Sequence, residues 1–169
     1  MEQELELLRE TEIFRNLTDG QIAKILQISR KVTFPGGEVI MREGEAGDTM
    51  YIILEGAVEV AKSLVIGDGD EEPDEKNKVF TRLDASDHAV FGEMALLETM
   101  KRTATIKTVT KCRFYEIQRD GFLSVVEKEH ELGYRILLNL ARIVSARLRK
   151  ADEDTIKLTT VLSIILRES

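Results

Sequence analysis

The chain has 169 residues, 43% hydrophobic and 33% charged, which suits one globular domain with an ordinary core and no cross-links. A formal net charge of −7 opposes binding along nucleic acid, whose affinity comes largely from neutralised phosphates, but it leaves room for a small anion held by one arginine and a few amides. The single cysteine, Cys112, excludes a disulfide framework and a multi-cysteine metal site, and makes the reducing cytoplasm the expected compartment.

Acids alternating with Leu5, Leu7 and Leu8 predict a short helix over residues 2–10. Such an acidic start is not the basic-then-apolar pattern of a signal peptide, and no stretch is apolar for long enough to span a bilayer. Thr18 is placed to cap a second helix carrying Ile22, Ile25 and Leu26. From Val32 the period shortens. Val32, Phe34, Val39, Ile40, Tyr51, Ile52, Ile53, Val58 and Val60 fall in short runs broken by Pro35-Gly36-Gly37, Gly44, Gly47-Asp48 and Gly56. Short strands with glycine turns predict a β-barrel or roll. Residues 67–78 are acid-rich (Asp68, Asp70, Glu71, Glu72, Asp74, Glu75) but lack the alternating ligands and closing glutamate of a calcium loop, so they read as a solvated hairpin tip. Strand patterns resume at Val79-Phe80, Phe91, 104–109 and 114–117.

From Phe122 the pattern is helical, with His130 a helix-start residue. Leu137, Ala141, Val144, Leu148, Ala151, Thr155, Leu158, Leu162 and Ile165 step by four and three, the spacing of a coiled-coil seam. Ile136, Leu140 and Ile143 form a second stripe on the first half only. The expectation is that this half packs on the roll while the seam meets a second copy in a parallel homodimer. The alternative is one broad core face on a monomer. Ala151 and Thr155 are weak seam residues and predict a soft middle, with a break into two helices.

The chemistry concentrates in Phe91-Gly92-Glu93-Met94-Ala95-Leu96-Leu97 and, a few residues on, Arg102-Thr103-Ala104. Gly92 lets backbone approach a ligand closely. Residues 94–97 are expected to form one helical turn whose leading N–H groups face an anion. Arg102 offers a planar fork suited to two phosphate oxygens, and Glu93 can accept from a sugar hydroxyl while offsetting the arginine. An ordinary Glu93–Arg102 ion pair is the bland alternative; the joint occurrence of Gly, Glu and Arg in one short stretch argues against it.

These residues resemble the cyclic-nucleotide-binding domain family, shared by catabolite-activator-type regulators, kinase regulatory subunits and gated ion channels. The phosphate-binding cassette is carried by Phe91-Gly92-Glu93 through Arg102-Thr103-Ala104, with the Glu-to-Arg spacing of the kinase type. Phe34-Pro35-Gly36-Gly37-Glu38, Glu43-Gly44-Glu45-Ala46-Gly47-Asp48 and Tyr51-Ile52-Ile53-Leu54-Glu55-Gly56 resemble the family as well, and the likeness runs over residues 10–150. It implies a mainly β fold with flanking helices: a jelly-roll-like β-roll and a long C-terminal helix. The expected divisions are N-terminal helices over 1–30, the roll over 31–120 and a lid or dimerisation helix over 121–169. It also implies that Arg102 binds the cyclic phosphate and Glu93 the ribose 2′-hydroxyl, with Gly92 and the amides of Met94 and Ala95 lining the pocket. Thr103 would place its hydroxyl near phosphate or base, and Asp152 and Thr155 fall where family members carry base-contacting lid residues. Two departures stand out. Lys101 replaces the usual proline, and the loop 84–90 before Phe91 is longer and has no glycine. His88 in that loop reads as an exposed residue without a role.

The expected function is therefore a cyclic-nucleotide sensor, for cAMP or cGMP, in which ligand binding moves the C-terminal helix. No catalytic pair, metal set or cofactor other than the ligand is expected, and an enzyme reading has no residues to stand on. Two alternatives remain. The chain is the sensor part of a transcription regulator, since 151–169 is too short for a DNA-binding helix-turn-helix, or it is a structural relative that binds no nucleotide.

Overall fold

The computed structural model describes residues 2–66 and 74–168; most of the expected hairpin tip, and the calcium-loop question with it, lies outside the described residues. Helix α1 (Glu2–Glu10) leads through a 3-10 turn (Glu12–Phe14) to α2 (Asp19–Gln27). Thr18 opens α2 with a reciprocal capping box: its Oγ1 accepts from the Gln21 N–H at 3.3 Å, and Gln21 Oε1 accepts from the Thr18 N–H at 3.0 Å.

Ten strands follow. They are β1 (Ser29–Phe34), β2 (Val39–Met41), β3 (Ala46–Gly47), β4 (Thr49–Glu55), β5 (Ala57–Ile66), β6 (Asp74–Asp84), β7 (Val90–Phe91), β8 (Met100–Lys101), β9 (Thr105–Thr108) and β10 (Cys112–Gln118). They form antiparallel sheets in the orders β1-β10-β4-β7 and β2-β9-β5-β6, with β3 and β8 as a separate pair. A single helical turn, α3 (Met94–Leu97), sits between β7 and β8. This is the β-roll that the spacing of turns predicts.

The apolar run of β4 has a direct physical cause. Met50, Ile52 and Leu54 face a core shared with the helices, while Tyr51 and Ile53 face a second core between the two sheets. β10 alternates in the same way, with Tyr115 and Ile117 toward the helices and Cys112 and Phe114 between the sheets. A strand buried on both faces needs no polar alternation.

After β10, α4 (Arg119–Lys128) ends at Glu129, whose backbone leaves the helical region (φ −114°, ψ 78°). Helix α5 then starts at His130 and runs to Glu168. Leu132, Ile136, Leu140 and Ile143 are buried in the helix-side core that β4 and β10 share, where the first half of α5 packs on the 3-10 turn and on α4. The expected break at Ala151 and Thr155 does not occur. The helix is continuous for 39 residues, about 58 Å at 1.5 Å per residue. Ala is the best helix former, and the Thr155 hydroxyl bonds back to the Ala151 carbonyl at 2.9 Å. Weakness in a seam is thus not weakness in a backbone.

Candidate functional site

A cavity of about 330 Å³ opens between the β2-β9-β5-β6 sheet, the α3 turn, the segment joining β8 to β9, and α5. Every residue expected from the cassette lies on its wall: Gly92, Glu93, Met94, Ala95, Arg102 and Thr103. Met41, Val60, Leu83 and Ile106 form the apolar side, and Thr81 adds a hydroxyl there. The loop 84–90 contributes no wall residue. It folds away as a 3-10 turn (Ala85–Asp87), capped by Asp84 Oδ1 accepting from the Ser86 N–H at 2.8 Å. His88 adopts φ 49° and places Nε2 2.9 Å from Glu10 on α1.

Arg102 is half-buried in the segment between β8 and β9. Its Nη1 donates to the Thr49 carbonyl and its Nη2 to the Thr49 Oγ1, each at 2.8 Å. Burial lowers its pKa from the ordinary value, opposed by the nearby charges of Tyr51, Asp48 and Glu93. Two glycines make room for it. At Gly47 an added Cβ would fall 2.1 Å from Arg102 Nε. At Gly92, whose φ is +76°, a Cβ would meet the Thr49 carbonyl at 2.7 Å and Arg102 Nη1 at 2.9 Å.

Glu93 is 1% exposed, yet its ionic partner is not Arg102. Arg147 of α5 donates Nη1 to both carboxylate oxygens at 2.6 Å, and its Nη2 to the Val90 carbonyl at 2.8 Å. The sequence did not single out Arg147, which looks like one more cation in a basic stretch with Arg142, Arg149 and Lys150. The available signal was the buried acid itself, since a carboxylate taken out of water needs a partner. Arg147 and Lys150 supply the wall on the α5 side. Asp152 and Thr155, expected there, are exposed and lie outside the cavity, because α5 has already passed the roll at that height. In α3 the Ala95 N–H donates to the Gly92 carbonyl at 3.1 Å and closes the turn. Among the described residues no cluster of acids, histidines or cysteines could hold a metal ion, and no helix is long and apolar enough to cross a membrane.

The roll and its site define a ligand-binding module: a small pocket with one semi-buried arginine, a glycine at positive φ and an apolar wall. The sequence model of the cyclic nucleotide-binding domain matches residues 31–129, and the chain belongs to that family. It is 29% identical over 149 residues to the CRP-like cAMP-activated global transcriptional regulator of Mycobacterium tuberculosis, covering 88% of this chain and 60% of that protein. It is 34% identical over 117 residues to the cAMP-dependent protein kinase regulatory subunit of Dictyostelium discoideum, covering 69% of this chain and 34% of the relative. The chain thus spans less than two thirds of the length of these relatives. Among solved structures it resembles the N-terminal domain of a transcriptional regulator from Streptomyces coelicolor (TM-score 0.70, 25% identity, 88% of this chain and 94% of that one). The fold also matches Thermus thermophilus catabolite activator protein (TM-score 0.75, 22% identity, 88% and 63% covered).

Proposed function

We propose that this chain is a cyclic-nucleotide sensor domain that takes a cyclic mononucleotide, cAMP or cGMP, and reports its presence through α5. Its role is recognition rather than catalysis. Arg102 holds the cyclic phosphate; Glu93 accepts from the ribose 2′-hydroxyl; Gly92, Met94 and Ala95 line the sugar-phosphate end; Thr103 offers its hydroxyl to phosphate or base. The single observation that carries this reading is the Arg102 guanidinium, tied on one edge to Thr49 and bordering the cavity without a carboxylate at ion-pair distance among the described residues. A cation so placed has its remaining N–H groups for an anion. A cavity of about 330 Å³ stands at the small end of ligand sites, which run from about 300 to 1,000 Å³. That supports a mononucleotide over a cyclic dinucleotide.

The coupling to α5 rests on the Glu93–Arg147 pair. The acid that would read the ribose is also the group that ties the helix to the cassette, so ligand and helix share one carboxylate and each biases the other. Among the described residues of α5 beyond Ile143 none is buried, and Leu148, Leu158 and Leu162 are 61%, 71% and 57% exposed. An exposed heptad stripe of that length supports a parallel homodimer through α5.

The test is calorimetric titration of the purified chain with cAMP, cGMP and a cyclic dinucleotide, repeated with Arg102→Ala. One mononucleotide binding with a 1:1 ratio, and losing about 2–5 kcal/mol in the variant, is the expected result. Unchanged affinity in a folded Arg102→Ala protein removes the pocket assignment, and a preference for the dinucleotide removes the ligand class.

A further inference from the structure

The charges around the cavity do not balance. Among the described residues four cations border it, Lys101, Arg102, Arg147 and Lys150, and Glu93 is the one acid on its wall. Arg147 engages both oxygens of Glu93. Asp48, the other acid whose charge reaches Arg102, lies off the wall. Lys101 and Lys150 are exposed, and among the described residues neither has a carboxylate at ion-pair distance. The fold sets both at the mouth. Ala46 of β3 pairs with Lys101 of β8; next along, the Arg102 N–H donates to the Glu45 carbonyl at 2.8 Å, and the Arg102 carbonyl accepts from the Gly44 N–H at 2.9 Å. This backbone is pinned on both sides of Arg102, with Lys101 left in water beside it. On α5, Arg147 and Lys150 are three apart and share a face: Arg147 turns in to Glu93, and Lys150 stays exposed. Lys101 is also the residue that stands in place of the usual proline, and no contact of Arg102 or Glu93 described above uses it.

We propose that Lys101 and Lys150 are the electrostatic entrance of the site: two solvated cations that draw an anionic nucleotide toward Arg102 against the repulsion of a chain whose net charge is −7. The proposal rests on the reading that a cyclic nucleotide enters this cavity. Exposure decides the role of each cation. A half-buried one such as Arg102 holds phosphate by direct contact and governs escape. A rim cation kept in water acts through its field, and so on arrival. Salt separates the two, because a field acting through water fades beyond about 10 Å at 0.1 M salt, whereas a partly buried contact is screened much less. Glu153 and Asp154 follow Lys150 on α5, but neither lines the cavity, and Asp154 faces Lys157 at 3.5 Å.

The test is stopped-flow binding of a fluorescent derivative of cAMP and of cGMP to the parent chain and to Lys101→Gln with Lys150→Gln. For two charges about 8 Å from the ligand's path in water, the double variant should slow association roughly fourfold at about 10 mM salt and no more than about twofold at about 150 mM. Dissociation should stay within about twofold of the parent throughout. Lys111→Gln with Lys128→Gln removes the same charge from positions that do not line the cavity, and should slow association less than about twofold even at low salt. Parent-like association in the double variant at low salt overturns the proposal. So does an equal loss in the control pair, which assigns the effect to net charge alone, or faster dissociation that persists at high salt, which makes the lysines direct contacts. A second readout needs no nucleotide: amide-proton relaxation by a carboxylate nitroxide and by an ammonium nitroxide of the same ring. The anionic probe should be enriched over the cationic one at the amides of Lys101, Thr103 and Lys150 in the parent, and lose that lead in the double variant. Enrichment of the cationic probe there in the parent overturns the proposal whatever the ligand is. Failure of the pocket reading shows differently: the parent then binds neither nucleotide, or Arg102→Ala binds as the parent does, and the nitroxide result still decides the field.

Discussion

Gly47→Ala separates the fold from the site. Gly47 lies in β3 directly beneath Arg102, and a Cβ there would sit 2.1 Å from Nε, 2.4 Å from Cζ and 2.5 Å from Nη2. Carbon contacts settle near about 3.5 Å, so the guanidinium must retreat by roughly 1 Å or more. It is the far end of a flexible side chain, and it can do so. The backbone at Gly47 is not in the left-handed region, so alanine is tolerated there and lowers the entropy of the unfolded chain by an amount worth about 0.4–1 kcal/mol. Loss of the Thr49 hydrogen bonds works against that gain, and the net change in stability should stay within about 1–2 kcal/mol. Binding has no such offset. Removing a desolvated charged partner costs about 2–5 kcal/mol, and a displaced guanidinium that keeps its charge belongs near the lower end. At about 1.4 kcal/mol per tenfold, a loss of about 2–3 kcal/mol is a drop of roughly 30- to 150-fold. Calorimetry with the nucleotide that binds the parent chain reads the affinity, and thermal melting reads the fold. A Gly47→Ala protein that melts like the parent and binds like it would refute the claim that Arg102 in its present position makes the site.

Arg147→Met should leave Glu93 buried without its cation and loosen α5 from the cassette, destabilising by about 1–3 kcal/mol. That is below the usual cost of breaking a buried pair, because the Arg147 side chain is about half exposed (49%). Hydrogen exchange over residues 144–150 should speed up, and protection equal to the parent would show that the pair does not hold the helix. Sedimentation should give a dimer mass for the parent chain and a monomer for Leu158→Asp with Leu162→Asp; a parent chain that is monomeric at high micromolar concentration returns the stripe to an ordinary exposed face. The Lys31 hydrogen bond holds Glu4 below its ordinary pKa of 4.5. The folded state therefore binds this proton less readily than the unfolded chain. The contribution of the pair is complete above about pH 4.5 and is lost as the pH falls through the depressed value. Glu4→Gln should flatten that acid limb of the melting-temperature curve, and an unaltered limb would assign acid sensitivity elsewhere.

Much of this protein is written locally. The cassette is legible because Gly92, Glu93 and Arg102 lie within one short stretch, and because the turn after Phe91 needs a residue that accepts φ +76°. The roll is legible because glycine turns and short apolar runs are local signals. Packing of the Ile136, Leu140 and Ile143 stripe follows from a period of 3.6 that any window shows. The expected break in α5 failed on the same scale: Ala151 is poor at filling a seam but favours the helix backbone, and only the second property decides continuity.

The fold family and the cassette residues that line the cavity are legible along the chain, since both depend on neighbours within a dozen positions. How those residues are held is settled only by the fold. Arg147 reaches Glu93 from 54 positions away, Gly47 lies beneath Arg102, and Thr49 accepts from both Arg102 terminal nitrogens across 53 positions. Such partners leave no periodic trace, because a buried charge demands only that some opposite charge or donor be near it in space. The folded chain alone settles which residue supplies it.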